Sequence, residues 1–245
     1  MKVLDLFSGI GGFSLGLERA GMQTIAFCEI DPYCRAVLRK HWPDVPCYED
    51  IRELTTNRLA ADGIECDVIC GGFPCQDISG AGKRAGLDGE RSGLWREMYR
   101  LVREIRPRFV IVENVARLVC AGLSQVCGDL ARIGYDSEWC VLGADAIGAS
   151  QHRKRLWLVA YPDHSGFERP IWAWEPSAPK SIVQATYREP LRSACGFWPP
   201  GPGAVADIPR MDDGVSHRVD RLRSLGNAVV PQIPEMIGRA IMATL

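Results

Sequence analysis

Residues 3–13, Val3-Leu4-Asp5-Leu6-Phe7-Ser8-Gly9-Ile10-Gly11-Gly12-Phe13, read as a short apolar strand that passes through a glycine turn into a helix. Glycines at such a junction let a ligand approach the backbone closely, and the N-terminus of a helix offers N–H groups that have no partner within it. A dinucleotide fingerprint would need Gly-x-Gly-x-x-Gly, and the last position here is Ser14. The loop by itself is therefore compatible with many nucleotide-like ligands.

Outward from this unit the pattern repeats. Strand-like runs at 3–7, 24–29, 67–71, 109–113, 137–142 and 156–161 are interleaved with helical periodicity at 11–20, 32–41, 94–106 and 123–133. That alternation predicts an α/β fold, a sheet with helices on both faces. Asp31-Pro32 reads as a helix start, an N-cap acid followed by proline in the first turn, and Gly134 as a C-cap. After Tyr161 the order is lost. Residues 162–214 hold nine of the sixteen prolines together with Trp172, Trp174 and Trp198, which reads as an irregular insert or small second lobe. A final helix is expected over 232–243.

The bulk numbers bound the answer. A chain of 245 residues, 47% hydrophobic, makes one large domain or a main domain with an annex. A net charge of −1 is no polybasic magnet, so any nucleic-acid partner must be met by a local patch. No apolar run reaches 18 residues and no charged leader precedes the first strand, so neither a membrane span nor an export signal is expected. Ten cysteines without a Cys-x-x-Cys pair argue against structural zinc and fit a reducing, cytoplasmic setting.

Two ends of the sheet carry chemistry. Glu29 closes the second strand, 22 residues past Phe7, where an acid can take both hydroxyls of a ribose. Asp50 reads equally as a third ligand contact or as the N-cap of a following helix. A ribose and an adenine, with no demand for pyrophosphate, favour S-adenosylmethionine over a nicotinamide cofactor. At the other end, the run 67–72 stops in glycines before Phe73-Pro74-Cys75. Alone, that cysteine reads first as a buried structural thiol. The strand 109–112 delivers Glu113 and Asn114 to the same carboxyl edge, where an acid needs a partner or a ligand and a raised pKa would let it donate a proton. Gln151-His152-Arg153-Lys154-Arg155 packs three formal positive charges just before the last strand, with Gln151, Arg153 and Arg155 on one face if it is extended.

In order along the chain, Asp5-Leu6-Phe7-Ser8-Gly9-Ile10-Gly11-Gly12-Phe13, Gly72-Phe73-Pro74-Cys75-Gln76, Glu113-Asn114-Val115, Gln151-x-Arg153-x-Arg155 and Gly226-Asn227-Ala228-Val229-Val230-Pro231 together resemble the C5-cytosine DNA methyltransferases. The resemblance implies a Rossmann-like, S-adenosylmethionine-dependent methyltransferase sheet plus a small target-recognition lobe. It divides the chain into a catalytic and cofactor-binding domain at 1–161, the recognition lobe at 162–216, and a segment at 217–245 that returns to the catalytic domain. Cys75 would be the nucleophile toward C6 of a flipped-out cytosine, and Glu113 would hold or protonate N3. Arg155, with Arg153 beside it, would contact the target base and its backbone. Phe7, Gly9, Gly11, Glu29, Ile30, Asp50, Ile51, Pro74 and Asn227 would line the cofactor pocket, with the terminal helix packed beside the first strand to close it. Double-stranded DNA would be the substrate and S-adenosylhomocysteine the product; no metal is implied.

An extruded base calls for a lid, and residues 76–93 suit one: Gly80, Gly82, Gly86, Gly89 and Gly93, with Lys83, Arg84 and Arg91 to meet phosphates. Residues 76–108 carry eight Lys/Arg against five Asp/Glu, whereas 162–220 carry six against eight. The recognition lobe is short for this family, which leaves two alternatives: a short site read through few side chains, or a dimer or protein partner that completes the grip. Trp172, Trp174, Arg188, Arg192 and Trp198 are the DNA-contact candidates there, the tryptophans reading first as a small aromatic core that holds the lobe together. Arg218, Arg221 and Arg223 fit either phosphate contact or bracing of the lobe.

Overall fold

A computed structural model describes residues 1–74, 93–147, 153–163 and 218–244, with the backbone alone for 218, 219 and 221–223. Cys75, the remainder of the expected lid to residue 92, Gln151 and the five DNA-contact candidates between 172 and 198 lie outside the described residues, as does most of the expected recognition lobe.

Seven strands form one sheet: β1 (Lys2–Leu6), β2 (Gln23–Cys28), β3 (Cys47–Tyr48), β4 (Val68–Gly71), β5 (Phe109–Val115), β6 (Tyr135–Gly143) and β7 (Lys154–Pro162). Their spatial order is β3-β2-β1-β4-β5-β7-β6. The first five run parallel; β7 is antiparallel to both β5 and β6. The chain leaves β1 toward β2 on one side and later returns to fill the other side with β4. That reversal opens a crevice at the carboxyl ends of β1 and β4, the place where open α/β sheets bind ligands.

The helices are α1 (Gly12–Arg19), α2 (Pro32–His41), α3 (Thr56–Ala61), α4 (Leu94–Ile105), α5 (Leu118–Ala121), α6 (Leu123–Arg132), α7 (Arg218–Asn227) and α8 (Gln232–Met242). The Asp31 carboxylate accepts from the N–H groups of Tyr33 and Cys34, as its sequence context predicts for an N-cap. Gly134 stands just past α6 at φ +73°, the left-handed turn that a glycine supplies cheaply. Helix α4 buries Trp95, Met98, Leu101 and Val102, spaced to line one face. It stops at Ile105 because Arg106 turns left-handed ahead of Pro107.

Alternation along each strand splits the core in two. Leu4, Leu6, Ile69, Val110 and Val112 face α4 and α6, while Val3, Val68, Phe109 and Ile111 face the opposite layer with Phe13, Leu17, Ile233, Ile237 and Ile241. The terminal helix thus lies chiefly against α1 and shares a core with Val3 of β1, so α1 is a closer partner than the strand that sequence analysis expected. Backbones touch here. A Cβ added at Gly16 would collide with the Pro231 carbonyl oxygen, and one at Gly12 would sit 2.5 Å from that of Val229.

Asp5 is the exception in this apolar layer. It is fully buried, and its Oδ2 accepts from Ser14 Oγ at 2.7 Å. Its Oδ1 has no conventional hydrogen-bond partner, and the Cys70 thiol lies alongside. Burial pushes the carboxyl up to about 7, against the pull of Ser14. A raised acid binds its proton more tightly folded than unfolded, so this group favours folding most below its ordinary pKa of 3.8. That contribution is lost as pH rises toward 7. Asp5→Asn keeps the acceptor for Ser14 and removes the titration. Denaturant unfolding at several pH values should show the variant gaining on the wild type between about pH 4 and 7, by up to about 1.4 kcal/mol per pH unit, with the difference level above that range.

Candidate active site

The glycine turn after β1 is left-handed at three places, Phe7 (φ +54°), Gly9 (+54°) and Gly11 (+86°). Ser8 pins it: Oγ donates to the Asp5 carbonyl at 2.6 Å and the backbone N–H to the Cys28 carbonyl at 3.3 Å. At Gly11 no side chain fits, because a Cβ would stand 2.6 Å from the Trp42 ring. At Gly9 the space is open, with nothing within 4 Å of an added Cβ. This open, pinned backbone is what a close-lying ligand needs.

Glu29 sits at the end of β2, 9% exposed. Its Oε2 accepts from the Gly9 N–H at 2.7 Å and its Oε1 from the Asp31 N–H at 2.8 Å. Each oxygen keeps a second lone pair, so the carboxylate can still accept a ribose hydroxyl on each while its orientation is fixed by the backbone. Arg35 sets the turn from beneath. Its Nη1 donates to the carbonyls of Glu29 (3.1 Å) and Ile30 (2.8 Å), and its Nη2 lies 3.1 Å from Glu49 Oε1. Ile30 is left with its side chain 63% exposed at the crevice rim.

Asp50 and Ile51 follow β3. Asp50 accepts from the Arg52 N–H and pairs with the Arg52 guanidinium, which holds its carboxyl below the usual range. It caps the tight turn 51–53, whereas Thr55 caps α3, so Asp50 is not the N-cap of the following helix. Ile51 buries its side chain in the core beside Leu54 and Leu59, and its carbonyl accepts from Arg100 Nη2 at 3.0 Å. Asn227 ends α7, which is tied to α2 through the 3.5 Å contact of Ser224 Oγ with Cys34 Sγ.

The chemical end lies across the crevice. Phe73 stacks near Trp95 (centroids 5.5 Å apart), and its carbonyl accepts from the buried Asn114 Nδ2 at 3.0 Å. Strand β5 is thereby fastened to the segment that leads into Pro74 and residue 75. Glu113 Oε1 lies 3.0 Å from Arg155 Nε, and the carboxylate is only 12% exposed. Burial pushes its pKa up, while Arg155 and then Arg153 pull it down; burial prevails. Gly72 makes room for it, since a Cβ there would stand 2.9 Å from Glu113 Oε2. Arg153 points elsewhere: its Nη1 donates to the Ala228 carbonyl at 2.6 Å.

Phe7, Gly9, Gly11, Glu29, Ile30, Asp50, Ile51 and Pro74 are all brought to the carboxyl ends of β1 to β4, and Glu113 and Arg155 to one ion pair beside them. Sequence reasoning missed Arg35, Arg100 and Trp42, which shape the crevice from behind. Arg35 had one legible signal: a cation within a turn of a helix N-terminus opposes the helix dipole and therefore needs another partner. Among the described residues no cluster could hold a metal ion, and no helix is long and apolar enough to cross a membrane.

Comparison with known proteins agrees with this geometry. The family model described as C-5 cytosine-specific DNA methylase matches residues 1–192. The chain is 39% identical over 168 residues to type II methyltransferase M2.BsuMI of Bacillus subtilis (strain 168), a match covering 65% of this chain and 42% of that protein. It is 34% identical over 171 residues to type II methyltransferase M.NgoFVII of Neisseria gonorrhoeae, covering 68% and 45%. The chain therefore spans about half the length of the curated relatives it matches. Among solved structures, the S. pombe Dnmt2 methyltransferase superposes with a TM-score of 0.57 at 22% identity, over 68% of this chain and 52% of that one, a likeness of fold.

Proposed function

From the premise that this chain belongs to the C-5 cytosine-specific DNA methylase family, we propose that it methylates C5 of cytosine in double-stranded DNA, through a base turned out of the duplex and a transient bond to Cys75. The observation that carries this reading is the Glu113–Arg155 pair, held at the carboxyl edge of β5 in a gap that Gly72 leaves open.

The crevice suits S-adenosylmethionine. Glu29 presents two fixed carboxylate oxygens with spare lone pairs, and the Gly9 backbone is open to close approach. Ile30 offers an exposed apolar face for the adenine. When bound, the cofactor supplies an electrophilic methyl group.

The chain's own residues make C5 of cytosine able to accept that group. Deprotonated Cys75 adds its sulfur to C6, and the electron pair of the C5–C6 double bond is released into the ring. Glu113 answers this at N3. A carboxyl whose burial raises its pKa keeps its proton to higher pH than an ordinary glutamate, and donating it to N3 draws density away from C6 and favours the attack. Arg155 keeps the carboxyl aimed and offers donors toward the ring carbonyl. After methylation, loss of the C5 proton to a base lets the ring expel the Cys75 thiolate, and N3 returns its proton to Glu113, which regenerates the enzyme.

The test is methyl transfer from labelled S-adenosylmethionine to mixed-sequence double-stranded DNA, followed by nucleoside analysis. Label recovered as 5-methylcytosine is the expected result. Label on adenine, or on cytosine N4, would sink the reading.

A further inference from the structure

Arg153 stands two residues before Arg155, yet the two guanidiniums do different things. Arg155 pairs with Glu113, while Arg153 donates from Nη1 to the Ala228 carbonyl at 2.6 Å. Ala228 directly follows Asn227 and precedes Val229, whose carbonyl oxygen lies over Gly12, and Pro231, whose carbonyl oxygen lies over Gly16. The returning strip 228–231 is therefore held from below by bare backbone on α1 and from the side by the Arg153 guanidinium.

We propose that Arg153 is a positioning residue, a strut that holds the Asn227–Ala228 segment against the crevice, and not a contact to the target base or to phosphate. The inference rests on the proposed methyltransferase reading for its consequence, since the strip it holds carries the cofactor-pocket candidate Asn227. Three features support it. A charge-assisted bond to a main-chain carbonyl fixes backbone position whatever side chain follows. Arg153 is spent at Ala228, 75 residues away in sequence, so it joins the entry to β7 to the far end of the chain. Its own carbonyl accepts from the Ala144 N–H at 3.2 Å, so the base of the strut is itself anchored. The arrangement links the two halves of the reaction: the same arginine that steadies the cofactor side is near enough to the Glu113–Arg155 pair to be felt electrostatically by both.

The experiment compares wild type, Arg153→Met (similar length, no donor, no charge) and Arg153→Lys (donor and charge kept). Two readouts are taken: calorimetric binding of S-adenosylhomocysteine without DNA, and amide hydrogen exchange over residues 225–231. Arg153→Met should weaken binding about tenfold or more and speed exchange in that strip, and Arg153→Lys should recover most of both. Unchanged binding and unchanged exchange in Arg153→Met would overturn the proposal, as would a defect confined to DNA affinity. If the wild type itself binds no S-adenosylhomocysteine, the activity reading fails and exchange alone decides. Faster exchange over 225–231 then supports the strut, and unchanged exchange overturns it.

Discussion

Replacing Cys75 with alanine should lower methyl transfer at least about ten-thousandfold, the scale seen when a covalent nucleophile is removed, while S-adenosylhomocysteine binding stays at the wild-type level. C5 of cytosine is a poor nucleophile until something adds to C6, and alanine has nothing to add. The approach to residue 75 is unusually determined. Strand β4 ends at Gly71, Phe73 is seated near Trp95, and the Phe73 carbonyl is held by Asn114 from β5. DNA carrying 5-fluorocytosine gives a second readout. With fluorine in place of the departing proton the adduct cannot resolve, so wild type should form a denaturation-resistant complex and Cys75→Ser none. A Cys75→Ala protein that retained a tenth of the activity would remove the cysteine from the mechanism.

Glu113→Gln should cost about a hundredfold to ten-thousandfold in kcat, the usual worth of a placed general acid, with a small effect on cofactor affinity. Glutamine preserves the shape but offers no proton at N3, and it leaves Arg155 without its counter-charge. The pH profile separates these losses. The Glu113 carboxyl lies above the ordinary carboxylate range, so the wild-type rate should fall as pH rises through that raised value, and the glutamine variant should lack that limb. Gly72→Ala tests the same geometry from the other side. Its Cβ would crowd Glu113 Oε2 at 2.9 Å, so kcat should fall although no titratable group has changed. Wild-type kcat in Gly72→Ala would show that the gap is not needed.

The sequence made the sheet legible where strands are flush with apolar residues. The 67–71 and 109–113 runs became β4 and β5, because central parallel strands are covered on both faces and need no alternation to be recognised. Residues 114 and 115 extend β5 beyond the expected end because they pair with Leu156 and Arg155 on β7. A polar Asn114 gives no hint of that. The two-residue β3 and six-residue α3 are too short for any period to emerge. Helix α7 was missed for a different reason: Arg218, Asp220, Arg221, Arg223, Gly226 and Asn227 leave it little apolar material. Strand direction was illegible as well, since an apolar run has no polarity, and β7 is turned over by the short connection from β6.

The site divides along the same line. Residues at strand ends, Glu29 and Glu113 among them, announce themselves as acids closing apolar runs, and the structure sets them around one crevice. The struts do not. Arg35 to the Glu29 carbonyl, Arg100 to the Ile51 carbonyl and Arg153 to the Ala228 carbonyl all end on main-chain oxygens, which every residue possesses and no sequence marks.

The close seating of α8 on α1 also bears on how the protein is made. Val3, Phe13 and Leu17 leave the ribosome well before their cover, Ile233, Ile237 and Ile241, has been made. A nascent chain translated only as far as residue 217 owns all seven strands but not the α8 side chains of this layer, nor the Val229 and Pro231 carbonyls that lie over Gly12 and Gly16. Completion of this layer must wait until residues 232–242 have been translated, and until then α1 lacks part of its cover.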